Sequence, residues 1–159
     1  MPRISRRRTV EAPPDAVWAL VSDPYNLPRW WPRTTRVENV ERTAAGRRSQ
    51  WTKVLETAEG RGVRADYRCL SSAEGKHYVW EQELEDTPFE RVLRSSVLEI
   101  GLEPVDSETT EVELTSRQAL RGMSRLGSPM LRRATAGTLD EALDGIERAL
   151  VGGPQGAEG

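Results

Sequence analysis

Apolar residues recur at the three-and-four spacing of one helical face across residues 128–151. Ser128 is a suitable N-cap, Pro129 suits the first helical position, and Gly152 follows the last apolar residue. This pattern predicts a helix roughly 33 Å long, at about 1.5 Å per residue. A helix with a single apolar stripe needs a broad surface to pack against. The stripe comprises Leu139, Ala142, Leu143, Ile146, Ala149 and Leu150.

Alternation of apolar and polar residues, typical of strands, fills most of the chain before that helix. Short turns containing Gly, Asp or Ser separate the alternating segments, which indicates an antiparallel meander with one dry and one wet face. The turns fall at 43–46, 58–60, 72–75, 86–88 and 106–108, and a connector at 121–127 leads to the helix. The predicted strands are 3–11, 34–42, 47–57, 62–71, 76–85, 89–105 and 109–120.

Two short helices are predicted between the first and second strands. Pro14 and Asp15 suit the first turn of one helix, which the Asp23-Pro24 step ends. Asp23 can cap the next helix, and Pro32 closes it. The order of strand, two short helices, six strands and long helix predicts an α+β fold. Its antiparallel sheet should curl around the C-terminal helix.

Composition limits the classes of protein to which the chain can belong. With 159 residues it fits one domain, predicted over 1–151, followed by a disordered tail over 152–159. Near balance between 23 basic and 25 acidic residues argues against a nucleic-acid partner. The single Cys69 allows no internal disulfide and no cysteine zinc cluster. No segment reads as a signal peptide or an integral membrane span. We therefore expect a cytoplasmic monomer or weak homodimer without cofactor or metal.

Two motifs resemble a known family. They are VEAPPDAVW at 10–18 and DPYNLPRWWP at 23–32. Together with the element order, they resemble the START-like helix-grip superfamily (SRPBCC), and most of all its polyketide cyclase/dehydrase-like branch. The resemblance implies a seven-stranded sheet gripping the long helix, with a deep hydrophobic cavity between them. It also implies binding of lipids, sterols, polyketides or other bulky apolar molecules, and in a few members aromatisation or cyclisation.

Aromatic side chains predicted to face the interior supply most of the candidate ligand-binding residues. Trp30 and Trp31 are adjacent, so on a helix one ring enters the interior while the other packs on the surface or at the cavity mouth. Alternatively, both rings fasten the short helix to the sheet. The full set of candidate ligand-binding residues is Trp30, Trp31, Trp51, Tyr67, Tyr78, Trp80, Gln82, Arg94, Gln118, Met130 and Ala134.

The polar candidates share the phase of apolar neighbours on their strands. Arg94 at such a position would suit a ligand carboxylate or phenolate, although a one-residue bulge would turn it outward. Met130 and Ala134 belong to a part of the helix with little bulk, which would leave room for an entrance. At Gly137 the helix either bends, starts regular structure at Thr138, or simply continues.

Three functions fit this pattern. The first is binding of a bulky hydrophobic or aromatic molecule, such as a lipid, sterol or polyketide, between sheet and C-terminal helix. The second is a polyketide cyclase or aromatase, which needs an inward titratable residue with a perturbed pKa. His77, the only histidine, is out of phase with Tyr78 and should face outward, so Arg94 is the other candidate. The third is an interaction module with a filled interior.

Overall fold

The computed structural model describes residues 3–42, 48–56, 62–121 and 128–151. Two single-turn 3-10 helices, Pro24–Asn26 and Pro88–Arg91, precede α2 and β6. The helices are α1 (Pro14–Val21), α2 (Leu27–Trp30) and α3 (Ser128–Val151). The strands are β1 (Arg3–Val10), β2 (Thr34–Arg42), β3 (Arg48–Glu56), β4 (Gly62–Ala73), β5 (His77–Glu83), β6 (Leu93–Asp106) and β7 (Thr109–Leu120).

The seven strands form one antiparallel sheet in the order β1-β7-β6-β5-β4-β3-β2. The sheet is curled and unclosed, and α3 lies against β1 and β7 as well as α1 and α2. The predicted α+β helix-grip architecture is thus confirmed. Buried Leu139, Leu143 and Ile146 join α3 to the inner face of the sheet in one hydrophobic core, as the helical spacing requires.

The start of β6 differs from the prediction. The predicted strand 89–105 begins only at Leu93, because Pro88–Arg91 is a 3-10 turn. The Thr87 hydroxyl accepts a hydrogen bond from the Phe89 N–H at 3.2 Å and caps that turn. Val92 consequently leaves the inner face and is 46% exposed. The predicted turns at 43–46 and 58–60, most of the 121–127 connector and the 152–159 tail lie outside the described residues.

α3 is one continuous helix through Gly137. The Thr138 hydroxyl donates to the Ala134 carbonyl at 3.1 Å, so it bonds back along the helix instead of capping a new one. A regular helix that starts only at Thr138 is therefore wrong.

α2 packs closely on α3 at a glycine. A Cβ added at Gly145 would lie 2.2 Å from the Trp30 carbonyl oxygen, far inside van der Waals contact. Only a residue without a side chain allows the two backbones to approach this closely. The contact sets the position of Trp30 and of Trp31, which follows it.

Candidate functional site

β3 directs a lysine into the interior of the protein. Trp51 and Lys53 lie two residues apart and so share the inner face, and each is only 2% exposed. The cross-strand neighbours of Lys53 are Val37 on β2 and Ala65 on β4. Both are apolar, and the small Ala65 leaves space beside the long lysine side chain. Lys53 therefore enters the core with no opposite charge at the position directly across from it on either adjacent strand.

Three aromatic rings surround the amine and form what we call the aromatic cage. The Lys53 Nζ lies 4.5 Å from the ring centroid of Tyr67, 4.7 Å from that of Trp31 and 5.7 Å from that of Trp80. These distances are those of cation–π contacts. Within the described ranges, Nζ has neither a carboxylate partner nor a hydrogen-bond acceptor. The cage thus offers ring faces to the amine and leaves its hydrogen-bonding capacity unused.

Burial changes the protonation of two groups in the cage. It lowers the pKa of the Lys53 amine from 10.5 to about 7, because the charged form is denied water. Burial also raises the pKa of the Tyr67 phenol, which therefore stays protonated throughout the physiological range. Near pH 7, Lys53 consequently exchanges between a cation and a neutral amine with a free lone pair.

The cage belongs to a larger cluster of rings centred on Trp80. Its ring centroid lies 5.6 to 6.2 Å from five others, those of Trp30, Trp31, Trp51, Tyr67 and Tyr78. These rings pack together on the inner face of the sheet around Lys53. Trp31 is the half-buried member of the cage, whereas Tyr67 and Trp80 are buried.

Two further hydrogen-bond donors in this cluster lack acceptors. The buried indole N–H groups of Trp30 and Trp51 have no partner among the described residues. Buried donors are normally satisfied, and an unsatisfied one costs about 1–3 kcal/mol. Together with the Lys53 amine, they give the interior donors that a molecule bearing carbonyl or carboxylate oxygens would satisfy.

A gap remains between the sheet and the N-terminal half of α3. It has a volume of about 20 Å³ and holds about one water molecule. The Thr135 hydroxyl bridges it by donating to Gln118 Oε1 at 3.4 Å. The residues around it are Ile4, Ser116, Gln118, Leu120, Leu131, Arg132 and Thr135.

Three predicted pocket residues do not point inward. Arg94 is exposed on the outer face, because a register irregularity between Leu93 and Ser95 reverses its direction. Met130 is 75% exposed and Ala134 is also exposed. The residues that follow them, Leu131 and Thr135, occupy the helical phase that faces the sheet. An inward Arg94 is therefore wrong and the alternative of a strand irregularity that turns it outward is what the structure shows, while Met130 and Ala134 do not face the sheet.

The remaining predicted residues are buried or half-buried. Trp30, Trp51, Tyr67, Tyr78, Trp80 and Gln82 are buried, and Trp31 and Gln118 are half-buried. His77 is half-buried at the start of β5. Glu81 and Glu83 pair with Arg68 at 2.8 and 3.4 Å on the outer face, away from the aromatic cage.

Sequence reasoning missed Lys53. The signal was present, since Lys53 alternates in phase with Trp51 and Leu55 on a predicted strand. Only two of the 23 basic residues are lysines, Lys53 and Lys76, so a lysine at an inward position is itself unusual in this chain.

Comparison with known proteins identifies the family. The family model described as polyketide cyclase/dehydrase and lipid transport matches residues 1–151. The chain belongs to this family. The match confirms the predicted polyketide cyclase/dehydrase-like branch. No curated protein matches the sequence.

Solved structures with a similar fold include a START superfamily protein and aromatase/cyclases. A START superfamily protein from Mycobacterium smegmatis superposes with a TM-score of 0.78 at 18% identity, covering 93% of this chain and 96% of that one. The di-domain aromatase/cyclase BexL of the BE-7585A biosynthetic pathway superposes with a TM-score of 0.78 at 25% identity. The match covers 97% of this chain and 48% of that one. Zhui aromatase/cyclase from Streptomyces sp. R1128 superposes with a TM-score of 0.67 at 18% identity. The match covers 96% of this chain and 98% of that one.

This member of the polyketide cyclase/dehydrase and lipid transport family spans about half of the di-domain protein, the length of one of two domains. In the part of the chain that is described, no helix has the length and apolarity to cross a bilayer.

Proposed function

We propose that the protein binds a bulky hydrophobic or aromatic small molecule, of the lipid, sterol or polyketide kind, between the sheet and α3. The aromatic cage around Lys53 receives the oxygen-bearing part of that molecule. The observation that carries this proposal is a buried amine with ring faces on three sides and no acceptor among the described residues.

Each part of the cluster supports one feature of the ligand. Aromatic and aliphatic walls favour flat or bulky apolar molecules, because burial of apolar area supplies most of the affinity at such sites. The Lys53 amine and the indole N–H of Trp51 favour a ligand with carbonyl or carboxylate oxygens.

Tryptophan fluorescence tests the proposal. We expect 2-naphthoic acid and 2-acetylnaphthalene to quench the emission saturably, because four of the five tryptophans lie in the Trp80 cluster. Lys53→Met should weaken binding of these two compounds by roughly 10- to 100-fold, since a hydrogen bond to a charged group contributes about 1.5–3 kcal/mol. Naphthalene itself should bind both proteins equally.

Arg94→Ala is the matched control, because that side chain lies on the outer face, and it should leave all three affinities unchanged. Equal affinities of the wild type and Lys53→Met for 2-naphthoic acid would contradict the assigned role of Lys53. No quenching by naphthalenes, sterols, flavonoids or fatty acids would contradict the proposed binding function.

A cyclase or aromatase activity is the alternative function. It requires an inward titratable residue with a perturbed pKa, and Lys53 meets that requirement. The aromatase/cyclase descriptions of two structural neighbours add support. Ring closure of a linear poly-β-ketone mimic, monitored by its ultraviolet absorption, should then depend on Lys53.

A further inference from the structure

We propose that Lys53 is a nucleophile that forms an imine with a ketone or aldehyde carbonyl of the bound ligand. This inference rests on the proposed binding function and adds a covalent step to it. It is carried by the position of the amine inside the aromatic cage, the apolar neighbours on both adjacent strands, and the absence of an acid partner among the described residues.

An amine attacks a carbonyl only through its lone pair, so it must be unprotonated. Ion pairing with a carboxylate would hold a lysine as the cation, and no described residue provides such a partner for Lys53. Burial supports the same conclusion, since it lowers the Lys53 pKa to about 7 and leaves about half of the amine neutral at that pH. A lysine with the ordinary value is neutral in only roughly one molecule in three thousand. Desolvation in an apolar site is a known way to activate a lysine.

The apolar surroundings of Lys53 also favour the imine product. Attack by Nζ forms the C–N bond while the carbonyl π electrons move to oxygen, and a proton passes from nitrogen to that oxygen to give a carbinolamine. Loss of the hydroxyl group with one further proton releases water and leaves the C=N bond. The overall change is amine plus carbonyl to imine plus water, with no oxidant or reductant. A dry site disfavours the reverse hydrolysis.

The cage can accept the charge of a protonated imine. The faces of Trp31, Tyr67 and Trp80 carry negative quadrupole density and attract a cation at the position of Nζ. Tyr67 is the one titratable ring of the cage, and its phenol stays neutral because burial raises its pKa. A protonated imine draws electrons from the neighbouring carbon, which is the activation that an intramolecular aldol closure requires.

Reductive trapping tests the inference on the chain of residues 1–159. The wild type is incubated at pH 7 with 2-naphthaldehyde and sodium cyanoborohydride, and the adduct is located by tandem mass spectrometry. We expect the naphthylmethyl mass increase on Lys53, formed at least about tenfold faster than on Lys76. Lys76 is exposed and is the only other lysine, so each wild-type molecule contains its own control.

Two variants and a second probe complete the design. Lys53→Arg retains a cation but cannot form the imine, and Lys53→Met lacks the amine, so both should lose the fast adduct while Lys76 labelling persists. 2-Naphthalenemethanol lacks the carbonyl and should compete with trapping. Labelling of Lys53 no faster than Lys76 would overturn the inference. If naphthalenes still quenched the tryptophans in that case, the binding function would stand; without quenching, it would fail as well.

Discussion

Replacing Lys53 with methionine should raise the free energy of unfolding by roughly 2–4 kcal/mol at pH 7. Lys53 is a buried amine without a carboxylate among the described residues, and burial of an uncompensated charge destabilises the folded state. Methionine is similarly long and unbranched, and its sulfur packs well against rings such as Tyr67 and Trp80. Urea denaturation of the wild type and the variant measures the difference.

The stabilisation produced by Lys53→Met should decrease as the pH rises. The folded-state pKa of Lys53 is about 7 and its ordinary value is 10.5, so between these values the unfolded state binds more protons. Wild-type stability should therefore rise with pH in this window, by up to roughly 1.4 kcal/mol per pH unit, and the penalty should be complete below about pH 7. The advantage of Lys53→Met should shrink accordingly as the pH approaches 10.

Comparison of the wild type with Lys53→Met isolates the contribution of Lys53 to the pH dependence. Burial raises the pKa of Tyr67, which should make stability fall above about pH 10 in the wild type and the variant alike. The difference between them therefore reports Lys53. Lys76→Met, which removes the exposed lysine, should leave stability within about 0.5 kcal/mol. A wild-type stability that is flat from pH 7 to 9.5 would contradict the buried, unpaired amine.

Gly145→Ala should destabilise the fold by about 2 kcal/mol or more. The new Cβ would lie 2.2 Å from the Trp30 carbonyl oxygen and 2.7 Å from its Cα, and neither backbone atom can move without α2. Overpacking of this kind costs about 1–3 kcal/mol or more, which exceeds the gain of up to about 1 kcal/mol from placing alanine in a helix. A lower urea midpoint and an altered near-ultraviolet circular dichroism of Trp30 and Trp31 are expected.

Gly137→Ala provides the matched control on the same helix. A Cβ at Gly137 meets no atom within 4 Å, so only the change in helix propensity remains. That variant should be as stable as the wild type or more stable, by up to about 1 kcal/mol. Equal effects of the two substitutions would show that α2 does not rest on α3 at Gly145.

The fold was predictable because its signals are local and periodic. Leu139, Leu143 and Ile146 mark the buried face of α3 by spacing alone, and strand phase correctly buries Trp51 and Trp80. The failures occur where a local irregularity breaks the period. Arg94 is turned outward by the 3-10 turn at Pro88–Arg91 together with the irregularity after Leu93. Hydrophobic periodicity predicts neither of these irregularities.

The candidate site was harder to predict than the fold. Phase places most of the rings on the inner face, but it does not single out Lys53, because lysines are seldom fully buried. Its significance depends on Trp31, which directly follows α2, and on Tyr67 and Trp80, which come from other strands. Similarly, the spacing of small residues in α3 suggested an entrance at Met130 and Ala134, whereas the helix presents Leu131 and Thr135 to the sheet.

The sequence by itself determined the order of the elements, the antiparallel meander and the helix that packs against it. Hydrophobic periodicity predicts these features because it depends only on residues close together in the sequence. Tertiary structure alone decided that the ring directly after α2 and rings of β4 and β5 converge on one amine of β3. Convergence depends on strand register and on the close contact of Gly145 with Trp30, which join residues far apart in the chain. The protonation of Lys53 follows from that packing, because a pKa responds to the surroundings of a group in space.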